Sequence, residues 1–420
     1  MTNISVIENE WIALPDGRRL AARIWMPDGA GPFPAILEYL PYRKRDGTRA
    51  RDEPMHGYFA QNGYGSVRVD MRGTGESDGH MADEYLTQEQ DDALEVISWI
   101  ADQEWCSGNI GMMGKSWGGF NCLQVAARRP PELKAVIPVY FTDDRFRDDI
   151  HFMGGCLLND NLWWGSIMLA YQARPLDPEI VGDSWRAEWL ARIDEIPFFP
   201  ALWAAHQRYD AYWKHGSVQE DYSAITCPVL AFGGWADSYT NSVPRMLENL
   251  SVPCRGVIGP WGHVYPHDGI PRPAIGWLQE AVRWWDQWLK GIDTGVMDEP
   301  QLRAYVNDAT TPDGTRTDQP GRWVGEDAWP SNDISDMPLW LTKSGLSDTA
   351  QDGELSIRSP QSHGKASGEW MSAGVPGEMP TDQRLDDGGS LNFDTDVLTE
   401  DVEILGRPHL DLTVSSDSPV

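Results

Sequence analysis

Short apolar runs alternate with apolar positions at helical spacing through the first third of the chain. Segments 4–7, 10–13 and 19–25 read as antiparallel strands, the last two joined by a turn at Pro15-Asp16-Gly17, and segments 35–40 and 65–69 read as strands flanking a helix near 55–62. A helix is expected from Thr87, where Thr87-x-x-Gln90 has the form of a capping box and Ala93, Ile97 and Ile100 share one face. An apolar run then ends at Gly114, a helical pattern buries Phe120, Leu123 and Ala127, and another strand spans 135–139. Such alternation predicts a mostly parallel sheet covered on both faces.

From about 141 to 223 the texture changes. Helical stretches carrying Trp163, Trp164, Trp185, Trp189, Trp203 and Trp213 are broken by Pro175, Pro178, Pro197 and Pro200, which predicts a helical insertion over the carboxyl edge of the sheet. The strand pattern resumes at 228–232 and 256–258, and a helix follows with Leu278, Val282, Trp285 and Leu289 on one face. After about Pro300, short extended runs at 302–306, 337–341, 355–357, 402–405 and 409–414 sit between turn-rich segments, as in a β-sandwich or jelly roll. The expected units are an α/β domain in two parts, 1–142 and 226–298, a helical cap at 143–225, and a β-sandwich or jelly-roll domain at 299–420.

Composition narrows the function classes. A length of 420 residues gives room for two or three domains, and a net charge of -30 disfavours nucleic acid and anionic membranes as partners. No apolar run is long enough to predict a spanning helix, and the segment 1–8 has neither the basic nor the apolar region of a signal peptide. Cys106, Cys122, Cys156, Cys227 and Cys254 form neither a disulfide framework nor a zinc pattern, so a reducing, cytoplasmic setting is expected.

The chemistry concentrates at 109–120, where strand, tight turn and helix follow one another around Ser116. A serine on such an elbow is pushed out at the carboxyl end of its strand, and flanking glycines avoid collisions with neighbouring strand and helix. Gly75-Glu-Ser77-Asp-Gly79 matches the same short motif but lies in a turn-rich loop that starts no helix, so Ser116 is the expected nucleophile. A serine needs a base and a carboxylate to orient it. Asp237 and His263 follow in the order acid then base, each a few residues beyond a predicted strand end. His267 competes as base; Asp210 and Asp221 fall in the insertion and Asp286 on a helix. The backbone N–H of Trp117 is the expected first oxyanion donor, and after Pro41 stands Tyr42, whose phenol could serve as the second.

With Pro41-Tyr42, the elbow at Ser116, Gly234-Trp-Ala-Asp237 and Gly259-Pro-Trp-Gly-His263 in place, the chain resembles the cocaine esterase and X-Pro dipeptidyl-peptidase family (peptidase family S15) over nearly its whole length. The segment 105–111 belongs to the same pattern. The resemblance implies an α/β-hydrolase domain, a helical cap and a carboxyl-terminal jelly roll, with Ser116, Asp237 and His263 as triad and Tyr42 as oxyanion tyrosine. It also implies further strands beyond those present, so the last domain is expected to be incomplete. Family members that hold a substrate amine with carboxylates make Asp148 and Asp149 candidate substrate contacts, and Trp163 and Trp164 of the cap are further candidates. The expected activity is cleavage of an ester or amide through an acyl-enzyme, with no metal or organic cofactor and a small ester or short peptide as partner. Homo-oligomerisation is left open. Acyl transfer or amino-ester hydrolysis on the same site, or an inert core with carbohydrate-binding aromatics, are the alternatives.

Overall fold

The computed structural model describes residues 3–418. Its centre is a ten-stranded sheet. In chain order the strands are β1 (Ile4–Ala13), β2 (Arg19–Pro27), β3 (Phe33–Leu40), β4 (Gly65–Asp70), β5 (Cys106–Lys115), β6 (Leu133–Val139), β7 (Val229–Gly234), β8 (Cys254–Gly259), β9 (Leu302–Asn307) and β10 (Gly321–Glu326). Across the sheet they lie in the order β1-β2-β4-β3-β5-β6-β7-β8-β9-β10, parallel from β4 to β9 and antiparallel at both ends. Every residue of β4, β7 and β8 is buried, including Ser66, Arg68, Asp70 and Arg255, so these strands lack the alternation of a half-exposed strand. β1 is one strand with an irregularity between Ile7 and Glu10 where two strands were expected.

Helices α1 (Arg49–Gln61), α2 (Thr87–Ala101) and α3 (Trp117–Ala127) flank the sheet. α1 begins well before the expected 55 because its first turns bury polar groups. Asp52 and His56 are fully buried beside Glu38 and Arg68, a pattern that apolar periodicity does not register. In α2 the expected capping box does not form. Leu86 occupies the cap position, Thr87 is already helical, and Glu89 instead accepts the N–H of Tyr85 at 2.9 Å.

The insertion contains α4 (Asp160–Gln172), α5 (Trp185–Glu195) and α6 (Phe199–Ala204), together with a small hairpin at Phe152–Met153 and Cys156–Leu157. Arginines hold it down. Arg192 of α5 donates to the carbonyls of Gly75 (2.7 Å), Gly79 (3.1 Å) and Ser77, while Arg43 donates to those of Arg174 and Pro175 and Arg45 pairs with Asp177. The 75–79 loop is therefore a docking surface for the cap. Ser77 is buried, its hydroxyl donating to the Asp70 carbonyl at 2.6 Å and accepting from Ala21 N–H.

Beyond the cap lie α7 (Ser242–Asn249) and α8 (Trp277–Leu289). The core stripe of α8 is Trp277, Ala281, Trp284, Trp285 and Leu289, with Leu278 and Val282 at its margin, so the expected face is rotated by part of a turn. The region after 299 departs further from the sandwich texture. β9 and β10 extend the main sheet, and β11 (Trp340–Thr342) and β12 (Gly345–Ser347) form a separate hairpin. Segments 355–357, 402–405 and 409–414 are irregular. Their apolar side chains, among them Val402, Ile404, Leu410, Leu412 and Val414, are exposed, and no partner strand lies beside them among the described residues. A strand persists only where its backbone groups find a ladder.

Candidate active site

All the central parallel strands point their carboxyl ends to one edge, and the loops leaving that edge carry the reactive groups. Ser116 joins β5 to α3 at φ 59° and ψ -122°, a conformation that side-chain-bearing residues adopt only when their surroundings impose it. Its N–H donates to the carbonyls of Val139 (2.9 Å) and Tyr140 (3.1 Å), and its carbonyl accepts from Gly119 and Phe120. The glycines make the turn feasible: a Cβ on Gly114 would lie 2.5 Å from Gly118 Cα, and one on Gly118 would lie 2.7 Å from Leu40 Cδ2.

Asp237 and His263 follow β7 and β8, neighbours paired in parallel register up to Gly234 and Gly259. That register places the two loops side by side. Asp237 Oδ1 accepts the N–H of Tyr239 at 2.8 Å and Oδ2 accepts from His263 Nδ1 at 2.5 Å. The imidazole is 11% exposed, and its Nε2 is bonded to no protein group among the described residues. The backbone of His263 is held on both sides, its N–H donating to Ser372 O at 2.5 Å and its carbonyl accepting from Lys115 Nζ at 2.7 Å. Tyr140, whose carbonyl holds Ser116, also packs its ring 5.6 Å from that of His263. Burial lowers the imidazole below its ordinary value; Asp237 opposes the shift and Lys115 adds to it.

Tyr42 follows β3 on the same edge, within an aromatic cluster of Trp117, Trp164 and Tyr171 at ring separations of 6.5, 6.3 and 5.4 Å. Burial, and then Tyr171, raise its phenol far above the usual range, and the nearby Ser116 hydroxyl opposes the shift. The phenol stays protonated and able to donate. The Trp117 N–H at the start of α3 donates to no protein acceptor among the described residues, while its indole donates to Glu89 Oε1 at 2.7 Å. Burial pushes Glu89 up to about 8.

The cap candidates separate. Trp164 packs on Tyr42 and Trp117 and donates to Glu84 Oε2 at 3.2 Å, whereas Trp163 on the adjacent face of α4 is 50% exposed. Asp148 is ion-paired with Arg245 at 2.7 Å, and Asp149 is buried, accepting from Tyr239 Oη at 3.3 Å and Ile150 N–H at 2.7 Å. Asp148 is thus engaged, while Asp149 Oδ2 is buried without a hydrogen-bond partner among the described residues. The competing residues have structural partners: Asp210 caps a short helix at Ala211–Lys214, Asp221 accepts from Ser223 N–H, Asp286 accepts from Tyr64 Oη, and His267 stacks on Trp277.

Sequence reasoning missed Tyr171, Tyr140, Lys115 and the buried group in which Glu84 meets His151 at 2.6 Å and Arg145 at 3.2 Å. Tyr171 had a signal, since Trp164, Met168 and Tyr171 recur at helical spacing along α4. A cavity of about 250 Å³ lies behind Asp237, lined by Trp235, Glu369, Trp370 and Met379, and backs the acid without reaching the nucleophile. Glu38, Asp52 and His56 hold donor atoms within 4.8 Å of one another, but Arg51 and Arg68 already occupy the carboxylates, so the trio is a buried ion network.

Comparison with known proteins bears on the family and the fold. The family model for X-Pro dipeptidyl-peptidase (S15 family) matches residues 16–265, and that for the X-Pro dipeptidyl-peptidase C-terminal non-catalytic domain matches 294–420. Cocaine esterase of Rhodococcus sp. is 27% identical over 99% of this chain and 79% of its own length. Among solved structures, a CocE/NonD family hydrolase from Staphylococcus aureus superposes with TM-score 0.66 at 21% identity, covering 82% of this chain and 60% of its own. An alpha-amino acid ester hydrolase gives TM-score 0.63 at 20% identity over 92% of this chain and 71% of its own. At these identities the structural likeness concerns the fold.

Proposed function

The chain belongs to the X-Pro dipeptidyl-peptidase (S15) family of serine hydrolases, and on that premise we propose that it cleaves an ester or amide through an acyl-enzyme on Ser116. The observation that carries this reading is the meeting of three loops at one edge: the strained elbow of Ser116, the Asp237–His263 pair at 2.5 Å, and the protonated phenol of Tyr42. His263 Nε2 takes the proton from Ser116 as the oxygen attacks the substrate carbonyl, then gives it to the leaving group. Asp237 fixes the tautomer that leaves Nε2 as acceptor. Tyr42 Oη and Trp117 N–H receive the developing oxyanion, and water repeats the sequence to release the acid.

Ester cleavage is favoured over release of amino-terminal dipeptides. A peptide's terminal ammonium calls for an ionised carboxylate, yet Glu84 is paired with Arg145 and His151, Asp148 with Arg245, and burial pushes Asp149 up to about 7. Turnover of a p-nitrophenyl acyl ester is expected to exceed that of a Gly-Pro anilide under the same conditions. Faster turnover of the anilide would assign the chain to dipeptidyl-peptidase activity, and failure of Ser116 to react with a fluorophosphonate probe would leave it a binding protein.

The environment of His263 sets a pH dependence. Because burial disfavours the imidazolium, kcat/KM is expected to rise along an acid limb with its midpoint below the ordinary 6.5 and to be fully developed at neutral pH. The same shift acts on folding: a group whose folded pKa is depressed contributes stability above its unfolded value and loses it as pH falls through the folded one. A kcat/KM profile measured with the aryl ester and having its acid midpoint above 6.5 would contradict the assignment of His263 as the buried base.

A further inference from the structure

Lys115 has no role in the chemistry just described, yet it touches both partners of the proton transfer. It precedes Ser116 in the chain, and its Nζ donates to the carbonyl of His263 at 2.7 Å. The base loop is otherwise fixed from elsewhere: Trp261 O accepts from Ala236 N–H, Gly262 N–H donates to Ile270 O at 2.7 Å, and His263 N–H donates to Ser372 O. Those bonds tie the loop to the acid loop, to the segment that follows it and to the carboxyl-terminal region. Only the Lys115 bond, among those of the described residues, ties it directly to the strand that carries the nucleophile.

We infer that Lys115 is a positioning residue that fixes His263 relative to Ser116 through its bond to the His263 carbonyl. The inference rests on the triad reading given above. The charged and titratable groups facing the lysine are Arg51 of α1, Glu38 of β3, Asp237 after β7 and His263 itself; Tyr265 is engaged with Glu38 at 3.0 Å. Burial, followed by Arg51, pulls Lys115 down to about 8 against Asp237 and Glu38, so it still carries its charge at neutral pH. Burial makes the neutral, proton-accepting ring the resting form, and the Lys115 charge adds to that against Asp237. Its covalent link to Ser116 means that movement of the nucleophile strand carries the base loop with it.

Three variants separate the parts of this role. Lys115→Met removes donor and charge, Lys115→Gln removes the charge but keeps an N–H donor, and Lys115→Arg keeps both. With the p-nitrophenyl ester, Lys115→Met is expected to lose on the order of 100-fold in kcat with KM within about twofold, as for a reacting group displaced by a fraction of an ångström to an ångström. The acid limb of kcat/KM should move upward by on the order of half a pH unit in both uncharged variants. Lys115→Arg should recover most of kcat with the limb unmoved. Should Lys115→Met fail to fold, the limb in Lys115→Gln decides. Parental kcat in Lys115→Met overturns the inference, and so does a lower kcat with an unmoved limb, which is what a mere packing defect would give. Ser116→Ala measured alongside distinguishes the two levels: if it stays active, the triad reading and this inference fall together, whereas an inactive Ser116→Ala beside a parental Lys115→Met removes only the inference.

Discussion

Replacing Ser116 by alanine is expected to lower kcat on a p-nitrophenyl ester by about 10⁶-fold, the loss recorded when the nucleophile of an assembled triad is removed. That factor is about 8 kcal/mol of transition-state stabilisation. The fold should not share in the loss. Alanine keeps the Cβ, and the backbone bonds of residue 116 to Val139, Tyr140, Gly119 and Phe120 do not involve the hydroxyl. Thermal unfolding of the variant should therefore match the parent while turnover and fluorophosphonate labelling vanish together. Residual activity within a few fold of the parent would mean that another group attacks. Ser77, the alternative in the sequence, is an unpromising one: buried and bonded to Asp70 and Ala21, it would have to leave the loop that anchors the cap.

What could be read from the residues was the part of the fold in which local pattern and tertiary environment agree. The buried parallel strands carry apolar cores such as Val67 and Val69, Val229–Phe232 and Val257–Ile258, and candidate residues stand just past the strand ends, so both the sheet and the pairing of Asp237 with His263 were legible. Where polar groups are buried in ion networks, the pattern misleads. The apolar pattern predicts only the second half of α1 because Asp52 and His56 lie on its inner face beside Glu38 and Arg68. The cap gave up its helices but not its contacts, since which tryptophan faces the site depends on how arginines such as Arg192 and Arg43 dock it. After residue 299 the alternating residues at 402–405 and 409–414 carry strand propensity without a neighbour to pair with among the described residues, and propensity alone does not make a strand.

The same dependence on partners makes Asp237→Asn the sharper test of the base. The substitution keeps the shape of the side chain, so a simple view predicts little change. The hydrogen-bond pattern predicts otherwise. Tyr239 N–H donates to Oδ1 at 2.8 Å and requires an acceptor there, which orients the asparagine with its carbonyl oxygen toward Tyr239 and its NH₂ in the place of Oδ2, facing His263 Nδ1. Two donors would then meet, and the imidazole avoids this by placing its proton on Nε2 and using Nδ1 as acceptor. In that tautomer Nε2 cannot accept the proton of Ser116, so kcat is expected to fall about 10⁴-fold although every side chain remains in place. The Tm should move by no more than a few degrees, because one hydrogen bond is exchanged for another of similar geometry. Raising the pH should not restore the activity, since the defect lies in where the proton sits and not in how many the ring carries. A variant whose kcat stays within tenfold of the parent would show that Asp237 does not orient the base, and the carboxylate that does would have to be sought among the buried acids of the cap.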